Sequence, residues 1–123
     1  MWVFTRYGFV SIGCARDKNG NVHPDTVMIR ARMREHLENL RDRFSDTALG
    51  NAEILGDTGT DYLYRMIVPK AEWASALSQL AMEQTWPHFK TEASRFERLK
   101  SASSRYVDAL HQVWWTMAKL QDE

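Results

Sequence analysis

A chain of 123 residues is long enough for one domain, residues 1–123, with one hydrophobic core. Lys+Arg and Asp+Glu both number 16, so the formal net charge is zero; this argues against a protein that holds nucleic acid mainly through phosphates, and against an acidic DNA mimic. The single cysteine, Cys14, excludes an internal disulfide and suits a reducing, cytoplasmic setting, and no stretch reaches the roughly 18 apolar residues of a transmembrane helix.

The first residues show no basic leader followed by an apolar run, so no secretory signal is expected. "WVFT" (2–5) and "FVSIGCA" (9–15) are rich in aromatic and β-branched residues. They read as one strand interrupted at Arg6-Tyr7-Gly8, or as a short hairpin. "RDKNGNVHPD" (16–25) is a polar loop with an Asn19-Gly20 turn signal. In "TVMIRAR" (26–32), Val27, Ile29 and Ala31 alternate with Met28, Arg30 and Arg32, which is the period of a strand.

The period then changes. Met33, Leu37, Leu40 and Phe44 recur every three or four residues and predict a helix with charged residues on its wet side. "AEIL" (52–55) and "YLYRMIV" (62–68) predict a hairpin around the turn-forming loop "GDTGTD" (56–61), with Pro69 ending the second strand. Helices follow at 70–84, with Trp73, Leu77, Leu80 and Ala81 inward, and at 87–100, opened by Pro87. "SASS" (101–104) offers N-caps for a last helix, 104–121. Its stripe of Tyr106, Leu110, Val113, Trp114, Met117 and Leu120 must be buried in the fold or in a dimer.

These elements predict an α+β fold: a four-stranded antiparallel sheet of circularly permuted ferredoxin-like type, β-β-α-β-β-α, with two additional C-terminal helices. The predicted strand order is 1-2-4-3, with the first strand at an edge and helices on one face.

The stretch from Arg6 to Arg16, "RYGFVSIGCAR", comes close to the aromatic-bearing strand of the RNA recognition motif. Its context differs. That strand is third in its domain, whereas only five residues precede Arg6; the glycine after the basic residue is missing, and Ile12 stands where an aromatic belongs. The expected role is therefore a buried edge strand with a bulge at Gly8. Arg30, Arg32 and Arg65 fall on neighbouring strands, and if they share a solvent face they offer guanidinium groups to phosphate or carboxylate. Tyr62 and Tyr64, the first and third residues of the predicted strand 62–68, should point away from Arg65.

Motifs for catalysis are sparse. Asp57-Thr58-Gly59 is the aspartic-protease triplet, but it stands in a predicted hairpin loop of a half-helical chain. His23, His36, His88 and His111 show no zinc spacing, and His88 with Glu92 supplies two ligands at most. His111 lies near Trp114 and Trp115, where a general base or a hydrogen-bonded interface histidine are the alternatives. Cys14 on a strand reads as an inert thiol. No cofactor motif is present, and no catalytic or metal-binding set emerges.

The segments "W-V-F-T-x-x-G-F-x-S" (Trp2 to Ser11), "C-A-R" (Cys14 to Arg16), "I-R-A-R" with "H-L" (Ile29 to Leu37), "G-T-D-Y-x-Y-R" (Gly59 to Arg65) and "H-x-V-W" (His111 to Trp114) span nearly the whole chain. In them the sequence resembles a family of small uncharacterised bacterial proteins that open with the W-x-F-T-x-x-G-F-x-S signature. The resemblance brings no activity. It implies that Arg16, Arg30, Arg32, Asp61 and Tyr62 belong to one shared surface.

The leading expectation is a non-enzymatic binding or regulatory module that contacts another protein. Trp115, Trp86 and His111 are candidate interface residues, and a homodimer through the last helix is one form of that contact. A phage- or mobile-element-encoded inhibitor of a bacterial defence complex, as anti-CRISPR proteins are, is a narrower version. Nucleic-acid binding through the arginine-bearing sheet face is the less favoured alternative, and no membrane partner is expected.

Overall fold

The computed structural model describes residues 1–56, 59–100 and 104–122. The chain divides into two compact units, Met1–Gln84 and Thr85–Glu123.

The first unit is an α+β structure. Its strands are β1 (Trp2–Thr5), β2 (Gly8–Arg16), β3 (Val22–Ala31), β4 (Leu55–Gly56) and β5 (Tyr64–Pro69). They form one antiparallel sheet in the order β1-β2-β3-β5-β4. Five strands stand where the sequence predicts four, because Arg6-Tyr7 closes a hairpin that separates β1 from β2. Thr5 pairs with Gly8 across it. The Thr5 hydroxyl donates to the Gly8 carbonyl at 2.9 Å and accepts the Tyr7 and Gly8 amides at 3.1 and 3.2 Å. The predicted edge strand is thereby moved inward: β1 is the edge and β2 lies between β1 and β3. The ladder irregularity falls between Cys14 and Arg16, not at Gly8.

The β2–β3 connection is shorter than the polar run suggests. The Asp17 carboxylate accepts the amides of Asn19 and Asn21 at 2.8 and 2.9 Å, and Gly20 takes a positive φ of 82°. The local turn chemistry lets β3 start at Val22. At the other end of the sheet only Leu55–Gly56 of the predicted "AEIL" strand pairs with β5.

Alternation along the strands sorts the two faces. Val10, Ile12, Val27, Ile29, Ala31, Met66 and Val68 are buried on one face, in register as Ile12–Ile29–Met66 and Val27–Val68. Helix α1 (Arg34–Arg43) and helix α2 (Lys70–Met82) pack on this face: α1 against β2, β3 and β5, α2 against β3 and β5. The 3.6-residue period delivers Leu37 and Leu40 from α1 and Trp73, Ala76 and Leu80 from α2 into the core, while Leu77 is half-buried and Ala81 exposed. Pro69 ends β5 and serves as the N-cap residue of α2. The opposite face of the sheet carries neither helix of this unit.

In the second unit, α3 (Phe89–Lys100) packs against α4 (Arg105–Ala118), which runs into a 3₁₀ turn, Lys119–Gln121. Ser104 occupies the N-cap of α4 but makes no side-chain cap bond. Glu97 of α3 caps instead, its two carboxylate oxygens accepting the Tyr106 and Val107 amides at 3.1 Å each. The other SASS residues, 101–103, lie outside the described residues. The predicted apolar stripe of α4 is buried only in its first half, at Tyr106 and Leu110; Val113, Trp114, Met117 and Leu120 are exposed.

Among the described residues no helix is long and apolar enough to cross a membrane.

Candidate functional site

The face of the sheet opposite α1 and α2 is built by the alternate residues of the same strands. One registered row runs Trp2–Ser11–Arg30–Arg65–Leu55, across all five strands. A second row runs Gly13–Met28–Ile67. Neither row contains an acidic residue. With strands about 4.8 Å apart, the first row spans about 19 Å.

Aromatic rings gather at the β1–β2 end of this face. Phe4 and Phe9 are directly paired in register and stacked, with centroids 4.6 Å apart. Trp2 meets Phe9 edge to face at 5.6 Å, and Trp2 itself is 67% exposed. Phe9 in turn lies 6.5 Å from Tyr62, which reaches this face from the segment before β5. Tyr62 therefore does not oppose Arg65 as strand alternation predicts: β5 begins at Tyr64, so alternation governs Tyr64, which sits on the helix-covered face, and not Tyr62.

The Tyr62 ring is bracketed by two guanidinium groups. Arg30 lies 5.1 Å and Arg32 4.6 Å from its centroid, within cation–π range. Arg32 also forms a long, exposed ion pair with Asp61 at 3.9 Å. Arg30 donates to the buried Ser11 hydroxyl at 3.0 Å, and its buried Nε–H has no hydrogen-bond acceptor among the described residues. No carboxylate among the described residues forms an ion pair with Arg30. Arg65, directly opposite Arg30, reaches the Thr60 hydroxyl at 3.0 Å and the Met28 sulfur at 3.5 Å.

Of the residues named from the sequence, Arg30, Arg32, Arg65, Asp61 and Tyr62 thus come together. Arg16 does not; it is exposed at the β2–β3 turn, donating to the Gly20 carbonyl at 2.7 Å. Phe4, Phe9 and Trp2 belong to the face although the sequence reading treated this stretch as buried edge strand. The available signal was the alternation Trp2, Phe4 against Val3, and Phe9, Ser11 against Val10, Ile12.

The remaining candidates lie elsewhere. In the second unit, Trp115 is 63% exposed and packs edge to face on Trp114 at 5.2 Å; Lys90 lies 4.7 Å over the Trp114 ring. His111 is exposed on α4, so it is not a histidine enclosed in an aromatic pocket. Trp86 is half-buried ahead of α3. Glu92, which the sequence sets four residues from His88, is buried and approaches Arg95 at 4.0 Å. Asp57 and Thr58 of the protease-like triplet lie outside the described residues. Among the described residues no three His, Cys, Asp or Glu side chains converge as metal ligands would. A small depression of about 140 Å³ beside Arg43, Phe44, Ser45, Asp46, Thr47 and Gln79 is below the size of ordinary small-molecule sites.

Comparison of the chain with known protein families, with curated proteins and with solved structures finds no match.

Proposed function

We propose that the protein is a small binding module whose contact surface is the face of its first-unit sheet opposite α1 and α2. The observation that carries this reading is the Tyr62 ring held between Arg30 and Arg32, beside Phe9, on a face that neither α1 nor α2 covers. Rings and guanidinium planes are the groups most enriched where proteins contact other macromolecules. Arg30, Arg32, Asp61 and Tyr62 are also among the residues that carry the resemblance to the W-x-F-T-x-x-G-F-x-S proteins, and they meet at this one place. Counting the β1–β2 hairpin as a single element, the strand order supports a circularly permuted ferredoxin-like sheet, a frame that leaves one face open for a ligand.

The test is capture from bacterial lysate on immobilised protein, with wild type against Arg30→Glu. A stoichiometric component held by wild type and lost by Arg30→Glu supports the reading. A component held equally by both moves the contact surface away from this face.

A second reading concerns α4. Trp114, Trp115, Met117 and Leu120 are 51%, 63%, 57% and 76% exposed, a run of large apolar side chains that favours self-association through this helix. Sedimentation at high micromolar concentration tests it; a monomer there removes the idea.

A further inference from the structure

We infer that the ligand of this face is single-stranded nucleic acid, RNA or DNA. The inference rests on the open face being the contact surface and adds the chemistry of what it takes.

The face combines two features that a single strand needs together. One is aromatic surface on which an unpaired base can stack: Trp2, largely exposed at the sheet edge, with the half-buried Phe4–Phe9 stack beside it, while the buried Tyr62 ring supports the arginines. The other is cationic groups beside those rings: Arg30 and Arg32 on Tyr62, and Arg65 in register with Arg30. Stacking is tolerant of sequence because every base presents a π face, and guanidinium groups bind phosphate oxygens in paired hydrogen bonds. A duplex hides its bases, so it would meet the arginines and miss the rings.

Charge complementarity supports the same occupant. The two rows of the face hold Arg30 and Arg65 and no acidic residue, in a chain whose net charge is zero. Arg32 has Asp61 as a counter-ion, but that pair is 3.9 Å long with side chains 58% and 73% exposed, so a phosphate can displace the carboxylate at little cost.

The experiment is fluorescence anisotropy with labelled oligonucleotides of about 12 nucleotides, as single-stranded RNA, single-stranded DNA and duplex DNA. The full-length protein is used, as wild type, Trp2→Ala, Arg32→Gln and Arg30→Gln. Trp2 and Arg32 are exposed, so their variants keep the test valid if Arg30→Gln fails to fold. The expected result is binding of a single strand in preference to the duplex. Three phosphate contacts give a slope of log affinity against log salt of about −2, falling by about 0.7 for each arginine removed. Trp2→Ala should weaken binding roughly ten-fold. The RNA and DNA arms decide which strand is preferred. Absence of binding at low salt, equal binding of the duplex, or affinity unchanged in both Trp2→Ala and Arg32→Gln would each overturn the inference. If no oligonucleotide binds while a protein is captured in an Arg30-dependent way, the single-strand inference fails and the contact face stands.

Discussion

The imidazole of His36 accepts the backbone amide of Phe9 through Nδ1 at 3.2 Å. This bond ties helix α1 to the start of β2. It is made at close range because residue 8 is glycine: a Cβ there would overlap the His36 ring, and the backbone at Gly8 has φ of 144°. Helix, hairpin and open face are thus linked at one point, since Phe9 carries its ring to the other side of the sheet.

Gly8→Ala should therefore be one of the most damaging single changes in the chain. It combines a backbone conformation that L residues rarely adopt with a collision against a buried ring. A loss of about 3 kcal/mol or more is expected in urea unfolding, against about 1 kcal/mol for Gly59→Ala, where φ is also positive at 72° but nothing lies within 4 Å. Near-equal effects would show that the His36 contact does not constrain the hairpin.

A second tie predicts alkaline sensitivity. Glu83, at the end of α2, accepts the Tyr7 hydroxyl at 2.9 Å and Arg43 Nε at 2.8 Å, with Arg6 at 3.6 Å. Burial, opposed by the Arg6 hydrogen bond and reinforced by Glu83, raises the Tyr7 hydroxyl above its usual value of 10.0. A group whose folded pKa is raised contributes stability that is complete below the unfolded pKa and is lost as pH climbs through the folded one. Stability should therefore fall above about pH 10, and Tyr7→Phe should flatten that fall while costing about 1 kcal/mol at neutral pH. Denaturant midpoints of the two proteins from pH 7 to 11 measure it; parallel curves would contradict it.

Removing the carboxylate itself should be worse. Glu83→Ala removes the acceptor of Arg43 Nε and of the Tyr7 hydroxyl and the counter-charge of Arg6, for an expected loss of about 2–3 kcal/mol. Glu83→Gln keeps an acceptor and should recover part of it, as thermal unfolding will register.

In the second unit the capping prediction separates two residues. Glu97→Ala should release the Tyr106 and Val107 amides and cost about 1 kcal/mol, seen as faster hydrogen exchange at these two positions. Ser104→Ala should change them little, because the Ser104 hydroxyl bonds the Asp108 carboxylate at 3.3 Å rather than the backbone. The reverse ranking would make Ser104 the cap.

Local periodicity made much of this fold legible. The spacing of Leu37, Leu40 and Phe44 announced α1 with its buried face, and the alternation around Ile29 and Met66 announced β3 and β5 as partners. What stayed hidden depends on tertiary contact. Tyr62 lies outside β5, so no rule of alternation assigns its side. The Glu97 cap comes from a different helix, while Ser104 at the N-cap fits the local pattern without performing it. The sequence leaves residues 2–15 as one interrupted strand or a short hairpin, and the conformation of Gly8 with the Thr5 hydroxyl decides for the hairpin. In the last helix the same 3.6-residue stripe continues from buried Leu110 to exposed Leu120, and periodicity cannot tell where burial stops.

Arg30 and Arg65 stand directly opposite each other on neighbouring strands. Like charges in that position destabilise a sheet by up to about 1 kcal/mol. An anion lying across the pair would meet two guanidinium groups at once, so occupancy of this face should register as a rise in melting temperature before any affinity is measured.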